Sequence, residues 1–150
     1  MGAFRRIYLL EKTSLLDMRN SFDKVFPHSN TDLPVVSSNE VDYGLQMLCR
    51  GEVKSEKGDK NYKTTIQIYR NDKNKPYDTN CKCELRCDCN AFRYNVAYPL
   101  IKNNNFFSKP SANMRIPNRV NNPGQVTTYC KHLYSYLKYL INKNKIKFVK

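Results

Sequence analysis

The nine residues from Cys81 to Cys89 constrain the fold of this 150-residue chain more than any other part of its sequence. The odd positions of this stretch hold cysteine or leucine, and the even positions hold lysine, glutamate, arginine or aspartate. Successive side chains of a β-strand point to opposite faces of its sheet, so this alternation predicts a half-buried strand. Four of the six cysteines of the chain would then lie on the buried face of that strand.

Cysteines that are clustered in this way favour metal binding over disulfide bonding. Six cysteines in 150 residues are fewer than a disulfide scaffold carries. No long apolar stretch follows the N-terminal residues Met1 to Arg6, so we expect no secretory signal. Outside an oxidising compartment, neighbouring thiols are better explained as metal ligands.

A second pair of potential ligands follows the first pair after 40 intervening residues. Cys87 and Cys89 are two residues apart on the predicted strand and so share a face, whereas Cys130 and His132 stand at the start of a predicted helix. A helix N-terminus stabilises negative charge and therefore favours the thiolate form of Cys130. Three thiolates and one imidazole suit a closed tetrahedral site, so we predict one structural Zn²⁺ held by these four residues.

Two segments of the sequence, Cys87 to Tyr94 and Asn122 to Leu133, resemble the SWIM-type zinc finger, a ββα module with a C-x-C…C-x-H ligand pattern. The aromatic residue after the first pair and the Cys-Lys-His-Leu ending both fit that family. The long spacer and Asn122-Pro123-Gly124 resemble a variant met among structural proteins of tailed phages. The resemblance implies an α+β fold over about residues 45–141, in which a β-hairpin or three-stranded sheet and a C-terminal helix surround a structural zinc.

Other roles for these residues stay open at this point. Cys87 and Cys89 could be buried strand cysteines, since free cysteine is among the most buried residue types, and His132 could be an ordinary helix residue. Cys81 and Cys83 could replace the first pair as ligands or complete a second site, although packing in the core explains them better. We expect Cys49 to pack in the hairpin and His28 to be exposed.

The sequence as a whole divides the chain into three predicted regions. Residues 1–44 form an N-terminal docking segment that is partly irregular, with a short helix from Leu9 to Met18 and no regular structure from His28 to Glu40. Residues 45–141 form the SWIM-like zinc domain. Residues 142–150 form a basic tail.

Within the zinc domain, residues 45–70 predict a hairpin that turns at Gly58-Asp59, because alternating and β-branched residues flank a polar stretch. A polar loop covers residues 71–80. A helix from Ala91 should end near Tyr98, because Pro99 stops or kinks it. Residues 103–124 form a long insert, rich in Asn and Pro. The last helix follows from Cys130, capped by Thr127 or Thr128, because apolar residues recur there at three- and four-residue spacing.

The charge of the chain is unevenly placed. The formal net charge is +13, and residues 91–150 hold 11 Lys and Arg with no acid. These bases could contact phosphates; a solvated basic face or a surface matched to an acidic protein would explain them equally. The candidate nucleic-acid-binding residues are Lys102, Lys109, Arg115, Arg119, Lys138, Lys143, Lys145 and Lys147.

Several functional classes are disfavoured by the sequence. A closed site with three thiolates and one imidazole leaves no open position for catalysis, and no acid lies in the last 60 residues to act as a base beside it. The glycines are scattered and form no phosphate-binding loop. The apolar runs are too short to cross a membrane. We therefore predict no enzyme activity, no small-molecule substrate and no membrane partner.

The resemblance and the composition together suggest a source and a role. The 18 Asn and 17 Lys are what a very A+T-rich genome would impose, as in some phages. We predict a non-enzymatic structural protein of the tailed-phage virion, a head, neck or tail component that is assembled in the host cytoplasm and docks onto other virion proteins in a multi-copy symmetric assembly. DNA is a further partner suggested by the basic half. The alternative is an intracellular nucleic-acid-binding zinc-finger protein.

Overall fold

A four-stranded antiparallel sheet with helices on one of its faces forms the framework of the protein. The computed structural model describes residues 13–27, 29–115, 122, 124 and 126–149. In chain order the elements are helix α1 (Leu15–Val25), strands β1 (Val35–Asp42), β2 (Gln46–Lys54), β3 (Asn61–Tyr69) and β4 (Cys83–Cys87), a π-helical turn (Phe92–Val96), helix α2 (Ala97–Lys102), a 3-10 turn (Ala112–Arg115) and helix α3 (Lys131–Asn142). The fold is α+β, as predicted.

The sheet has four strands in the order β1-β2-β3-β4, and the expectation of a hairpin or three-stranded sheet was therefore wrong. The additional strand, β1, lies mostly within the stretch predicted to be irregular. Its sequence is largely polar because it is an edge strand and most of its side chains are exposed or half-buried. Pro34, which we took as a sign of irregular structure, directly precedes the first residue of the strand.

The central hairpin of β2 and β3 is confirmed, with Cys49 paired to Ile66 in its register. Gly58 in the connecting turn has a φ of +76°, a left-handed conformation that glycine adopts without strain. Met47 and Cys49 are buried, but Leu45, which shares their alternation, lies before the strand and is 42% exposed.

Strand β4 confirms the alternating pattern over Cys83–Cys87, but it is shorter than the predicted strand, because Cys81 lies before it and Cys89 lies after it. Cys83, Leu85 and Cys87 are fully buried, and the charged residues between them are half-buried on the other face. The outer edge of β4 is also paired, because the N–H of Leu85 donates to the carbonyl of Asn105 and the N–H of Phe107 donates to the carbonyl of Leu85. Part of the predicted insert therefore extends the sheet at this edge.

Helix α1 begins and ends later than the sequence predicted. Its N-cap is Ser14, whose hydroxyl accepts a hydrogen bond from the N–H of Asp17. Leu15, Met18 and Phe22 are buried against the core, which carries the helix on to Val25. The first residues of the predicted helix, 9–12, lie outside the described part of the chain.

The helix after the first ligand pair continues through Pro99 to Lys102, contrary to the prediction that it ends near Tyr98. Proline cannot donate to the carbonyl four residues earlier, which here belongs to Asn95. The π-helical turn lies directly before α2, and the Nδ2 of Asn122 donates to the carbonyl of Asn95 at 2.9 Å. The side chain of Asn122, which lies far along the sequence, thus donates a hydrogen bond that Pro99 cannot donate.

Helix α3 confirms the predicted C-terminal helix and lays Leu133, Tyr136, Leu137 and Leu140 against the inner face of the sheet. Its N-cap is Cys130, so the prediction of a threonine cap was wrong. The hydroxyl of Thr128 instead donates to the carbonyl of Met18 at 3.0 Å and ties the approach to α3 onto α1.

Residues after α3 pack back onto the domain. Ile146 is fully buried, and the N–H of Lys147 donates to the carbonyl of Tyr77. The predicted basic tail therefore contacts the loop before β4 over much of its length. Among the described residues, no helix is long and apolar enough to cross a lipid bilayer.

Candidate metal centre

Two of the predicted ligands stand where β4 ends. Cys87 is the last residue of the strand and Cys89 follows two positions later, and both side chains are buried. Between them, the carboxylate of Asp88 lies on the opposite side and accepts the N–H of Lys63 at 3.0 Å. The alternation of the strand therefore aims both thiols inward, as the sequence predicted.

The other two predicted ligands stand at the beginning of α3. Cys130 is the N-cap and His132 is the second helical residue, and both are buried. The residue before this pair is also fixed, because the hydroxyl of Tyr129 donates to the carbonyl of Leu15 at 2.7 Å. The start of α3 is thereby held against α1 and faces the end of β4.

The four side chains meet in one cluster. The ligand atoms of Cys87, Cys89, Cys130 and His132 all lie within 4.8 Å of one another, and this group could hold a metal ion. The Sγ of Cys130 lies 4.0 Å from the Nδ1 of His132. Cys81 and Cys83 do not belong to the cluster. Cys83 is a buried strand residue whose thiol faces the carbonyl of Thr13, and the half-buried Cys81 lies beside Asp78.

The pKa shifts of the three thiols indicate why a cation would stabilise the cluster. Burial raises the pKa of Cys87 and Cys130 well above the usual range. Hydrogen bonds from the Cys130 and Cys87 thiols, reinforced by His132, lower the pKa of Cys89 far below its usual range. One thiolate is thus stabilised by its neighbours, but three thiolates this close together would repel one another strongly unless a positive ion lay between them.

Polar groups around the cluster can stabilise negatively charged sulfur atoms. The backbone N–H of Phe92 donates to the Sγ of Cys89 at 3.3 Å, and burial raises the pKa of Cys130 although a hydrogen bond from the N–H of Leu133 opposes this in small part. The Nε2 of His132 is buried and has no hydrogen-bond partner among the described residues. The other ring nitrogen, Nδ1, lies 4.0 Å from the Sγ of Cys130 and is the imidazole atom that could bind the ion. The donor set and its surroundings therefore fit a bound metal.

The tip of the β2–β3 hairpin covers one side of the cluster. The ring of Tyr62 packs on that of His132, with 4.5 Å between the ring centroids, and Lys131 forms an ion pair with Glu56 at 3.1 Å. The sequence analysis did not single out Tyr62. Its place in the alternation of β3, in phase with the buried Ile66 and Ile68, was the available signal. The donors from Phe92 and Leu133 are backbone groups and leave no signal in the sequence.

The predicted nucleic-acid-binding residues do not form one continuous element. Lys102 ends α2, Lys109 and Arg115 are exposed around the 3-10 turn, and Lys143 and Lys147 follow α3. Two others carry ion pairs with acids of the N-terminal region, namely Lys138 with Asp32 at 3.1 Å and Lys145 with Glu40 at 3.8 Å. Arg119 and His28 lie outside the described residues.

Comparison of the chain with protein-family models, with curated proteins and with solved structures finds no match.

Proposed function

We propose that the protein is a non-enzymatic structural protein in which Cys87, Cys89, Cys130 and His132 bind one structural Zn²⁺. The observation that carries this proposal is the meeting of four buried donor atoms within 4.8 Å. The ion would join the end of β4 to the start of α3, two segments separated by 40 residues. Such a cross-link contributes folding free energy directly.

The chemistry of the donor set favours zinc. Thiolate and imidazole ligands select zinc among the common divalent ions, whereas Mg²⁺ and Ca²⁺ require oxygen ligands. In a tetrahedral zinc site the metal–sulfur bonds are about 2.3 Å and the metal–nitrogen bond about 2.0 Å, which places neighbouring donor atoms roughly 3.5–3.8 Å apart. The separation of 4.0 Å between Cys130 Sγ and His132 Nδ1 needs only a small contraction to reach that range.

A structural role is favoured over a catalytic one because four protein ligands complete a tetrahedron. A catalytic zinc keeps a position for water or substrate, and here the four donors are all buried. The cluster also contains no carboxylate that could act as a general base.

A SWIM-type module is the family proposal that best accounts for the order of the elements. A hairpin precedes the C-x-C pair, and a helix begins at the C-x-H pair. The 40-residue spacer is long for that family and contains the π-helical turn, α2 and the 3-10 turn.

We propose further that this zinc-centred module is a component of a tailed-phage virion and docks onto other virion proteins. The support is the phage-like form of the motif and the Asn- and Lys-rich composition. Co-sedimentation of the protein with purified particles through a density gradient is expected. Its presence in infected-cell extract but never in particles would contradict the proposal.

Nucleic-acid binding through the basic half remains the second candidate, since Lys102, Lys109, Arg115, Lys143 and Lys147 are exposed. Binding to duplex DNA should then weaken steeply as the salt concentration rises, because each neutralised phosphate releases counterions. Binding that is unchanged between low and moderate salt would exclude it.

The metal proposal is tested first by elemental analysis of the purified full chain. About one zinc per chain is expected, with a lower melting temperature after chelation that recovers when Zn²⁺ is returned. A metal-free protein with the same melting temperature in the presence and absence of Zn²⁺ would overturn it.

A further inference from the structure

The outer face of the sheet carries a concave polar surface that the metal centre does not use. Side chains on the inner face, such as Cys49, Ile66 and Leu85, are buried in the core, whereas those between them along each strand are exposed or half-buried. An open cavity of about 500 Å³ lies on this outer face, and Arg50, Thr65 and Arg86 are among its lining residues.

The register of the sheet places these three residues in one row. Arg50 on β2 pairs with Thr65 on β3, and Thr65 pairs with Arg86 on β4. The two arginine backbones are two strand spacings apart, about 9.5 Å. Thr65 therefore lies between the two arginines in the row, one strand spacing from each. We call Arg50, Thr65 and Arg86 the arginine row.

The arginine row differs from the row beside it in its charge balance. In that neighbouring row Glu52 pairs with Lys63, and Asp88 accepts the N–H of Lys63, so positive and negative charges alternate. The arginine row itself holds two positive charges and no acid, while Glu52, Lys63 and Asp88 of the neighbouring row line the same cavity, so its charged lining is three bases and two acids. Among the described residues, neither of its guanidinium groups forms an ion pair with a carboxylate.

One of the two arginines is already fixed in position. The Nη1 of Arg86 donates to the carbonyl of Lys109 at 3.1 Å, and its guanidinium lies 5.2 Å from the ring centroid of Phe106. These contacts occupy one donor and one face of the group, and the hydrogen bonds of the described residues involve no other N–H of this guanidinium. A guanidinium held in this way loses little conformational freedom when it binds an anion.

We propose that the arginine row binds the oxyanion of a phosphate ester. A tetrahedral phosphate presents three or four acceptor oxygens in different directions, and it can accept hydrogen bonds from two guanidinium groups and the Thr65 hydroxyl together. A planar carboxylate offers two oxygens, which a single arginine fork already satisfies. The cavity volume of about 500 Å³ also exceeds what one carboxylate requires and falls within the range of small-ligand sites. This proposal is independent of the zinc.

The test is an NMR titration of the zinc-loaded full chain with inorganic phosphate at constant ionic strength. Saturable shifts are expected for the Thr65 amide and for the Nε–H signals of Arg50 and Arg86. Arg50→Gln and Arg86→Gln should each weaken phosphate binding by about tenfold or more, because each removes a charge-assisted hydrogen bond. Arg115→Gln, an exposed arginine that does not line the cavity, is the matched control and should leave binding unchanged.

A second titration distinguishes the sources of the phosphate ester. A single-stranded oligonucleotide that binds more tightly than a free nucleotide at these signals supports a nucleic-acid partner, and equal binding supports a small phosphate ester. Shifts that merely follow ionic strength, equal effects of Arg115→Gln and Arg50→Gln, or displacement of phosphate by a Glu-rich peptide at lower concentration than the oligonucleotide would each overturn the proposal. Zinc content measured on the same variants should stay at the wild-type value, which separates this outcome from a failure of the metal centre.

Discussion

Cys89 occupies a different electrostatic position from Cys87 and Cys130, although all three thiols meet at one point. It receives hydrogen bonds from the other two thiols and from the backbone N–H of Phe92, so its thiolate is stabilised even without a metal. Cys87 and Cys130 are held in the neutral form by burial. Binding of a metal ion would therefore release the protons that the buried thiols hold.

Substitution of single ligands separates metal ligands from core cysteines. Cys130→Ser and His132→Ala should lose most of the bound zinc, whereas Cys83→Ser, which changes an equally buried cysteine outside the cluster, should keep about one zinc per chain. His132→Cys preserves a four-ligand set and should retain zinc. Elemental analysis of the folded fraction of each variant checks this. Equal zinc loss in Cys83→Ser and Cys130→Ser would be incompatible with the proposed ligand set.

Gly51 shows how closely α3 approaches the sheet. A Cβ atom at this position would lie 2.5 Å from Cε1 and 2.7 Å from Cζ of the buried Tyr136. Gly51→Ala should therefore lower the free energy of unfolding by about 1–3 kcal/mol, as overpacking does. In a Tyr136→Leu background, which removes both atoms, the same change should cost much less. Urea unfolding of the double-mutant cycle measures the difference, and additive costs would show that this contact is not the cause.

The helix that crosses Pro99 receives a hydrogen bond from outside the helix. Asn122→Ala removes the donor to the carbonyl of Asn95 together with two hydrogen bonds to the backbone of Val126, and should cost about 1–3 kcal/mol of unfolding free energy. In a Pro99→Ala background the new backbone N–H at position 99 can bond this carbonyl, so the cost of Asn122→Ala should fall. Asn20→Ala, at an exposed position of α1, is the control and should change stability by a few tenths of a kcal/mol. Thermal or urea unfolding of all four variants tests this, and an equal cost in both backgrounds would contradict it.

The sequence predicted those elements in which the spacing of apolar residues matches the side chains that are buried. The alternation from Cys81 to Cys89 predicted β4, and the helical spacing after Cys130 predicted α3. Strand β1 was not predicted because it is an exposed edge strand, and its buried and exposed residues do not alternate regularly. The sequence did not predict that the helix continues through Pro99. The hydrogen bond from Asn122 to Asn95 that accompanies this continuation forms only in the tertiary structure.

The candidate site could be predicted to a greater extent than the fold. The types and spacing of four side chains identified the cluster, since C-x-C on a strand and C-x-H at a helix start each fix two donors locally. The arginine row could not be recognised in the same way. Arg50 and Arg86 are 36 positions apart in the sequence, and only the register of β2, β3 and β4 brings them together.

Ion pairs connect the two halves of the chain in the folded molecule. The sequence places all acids in residues 1–90 and an excess of bases after them. In the structure, three bases of the second half, Lys131, Lys138 and Lys145, form ion pairs with acids of the first half. Each surface pair contributes little stability alone, but together they reduce the number of unpaired bases on the C-terminal half.

Buried thiols and phenols make the stability of the whole molecule sensitive to alkaline pH. Burial raises the pKa of Cys49 from 9.0 to about 12 and that of Cys81 to about 11, and it also raises the pKa of Tyr136. Above pH 9 the unfolded chain loses these protons while the folded chain keeps them, so the free energy of unfolding should fall as the pH rises.

Cys49→Val tests this pH dependence. The variant cannot ionise at this position, and its loss of stability between pH 9 and pH 11 should be shallower than that of the wild type by up to about 1.4 kcal/mol per pH unit. Urea unfolding of the zinc-loaded protein across this range provides the slopes. Identical slopes for both proteins would show that Cys49 does not contribute.

X-ray absorption at the zinc edge of the purified full chain tests the metal centre most directly, because it reports the ligand atoms themselves. The account predicts three sulfur neighbours at about 2.3 Å and one nitrogen neighbour at about 2.0 Å. A first shell of oxygen atoms, a fifth ligand position occupied by water, or a protein that retains no zinc would contradict a closed site built from Cys87, Cys89, Cys130 and His132.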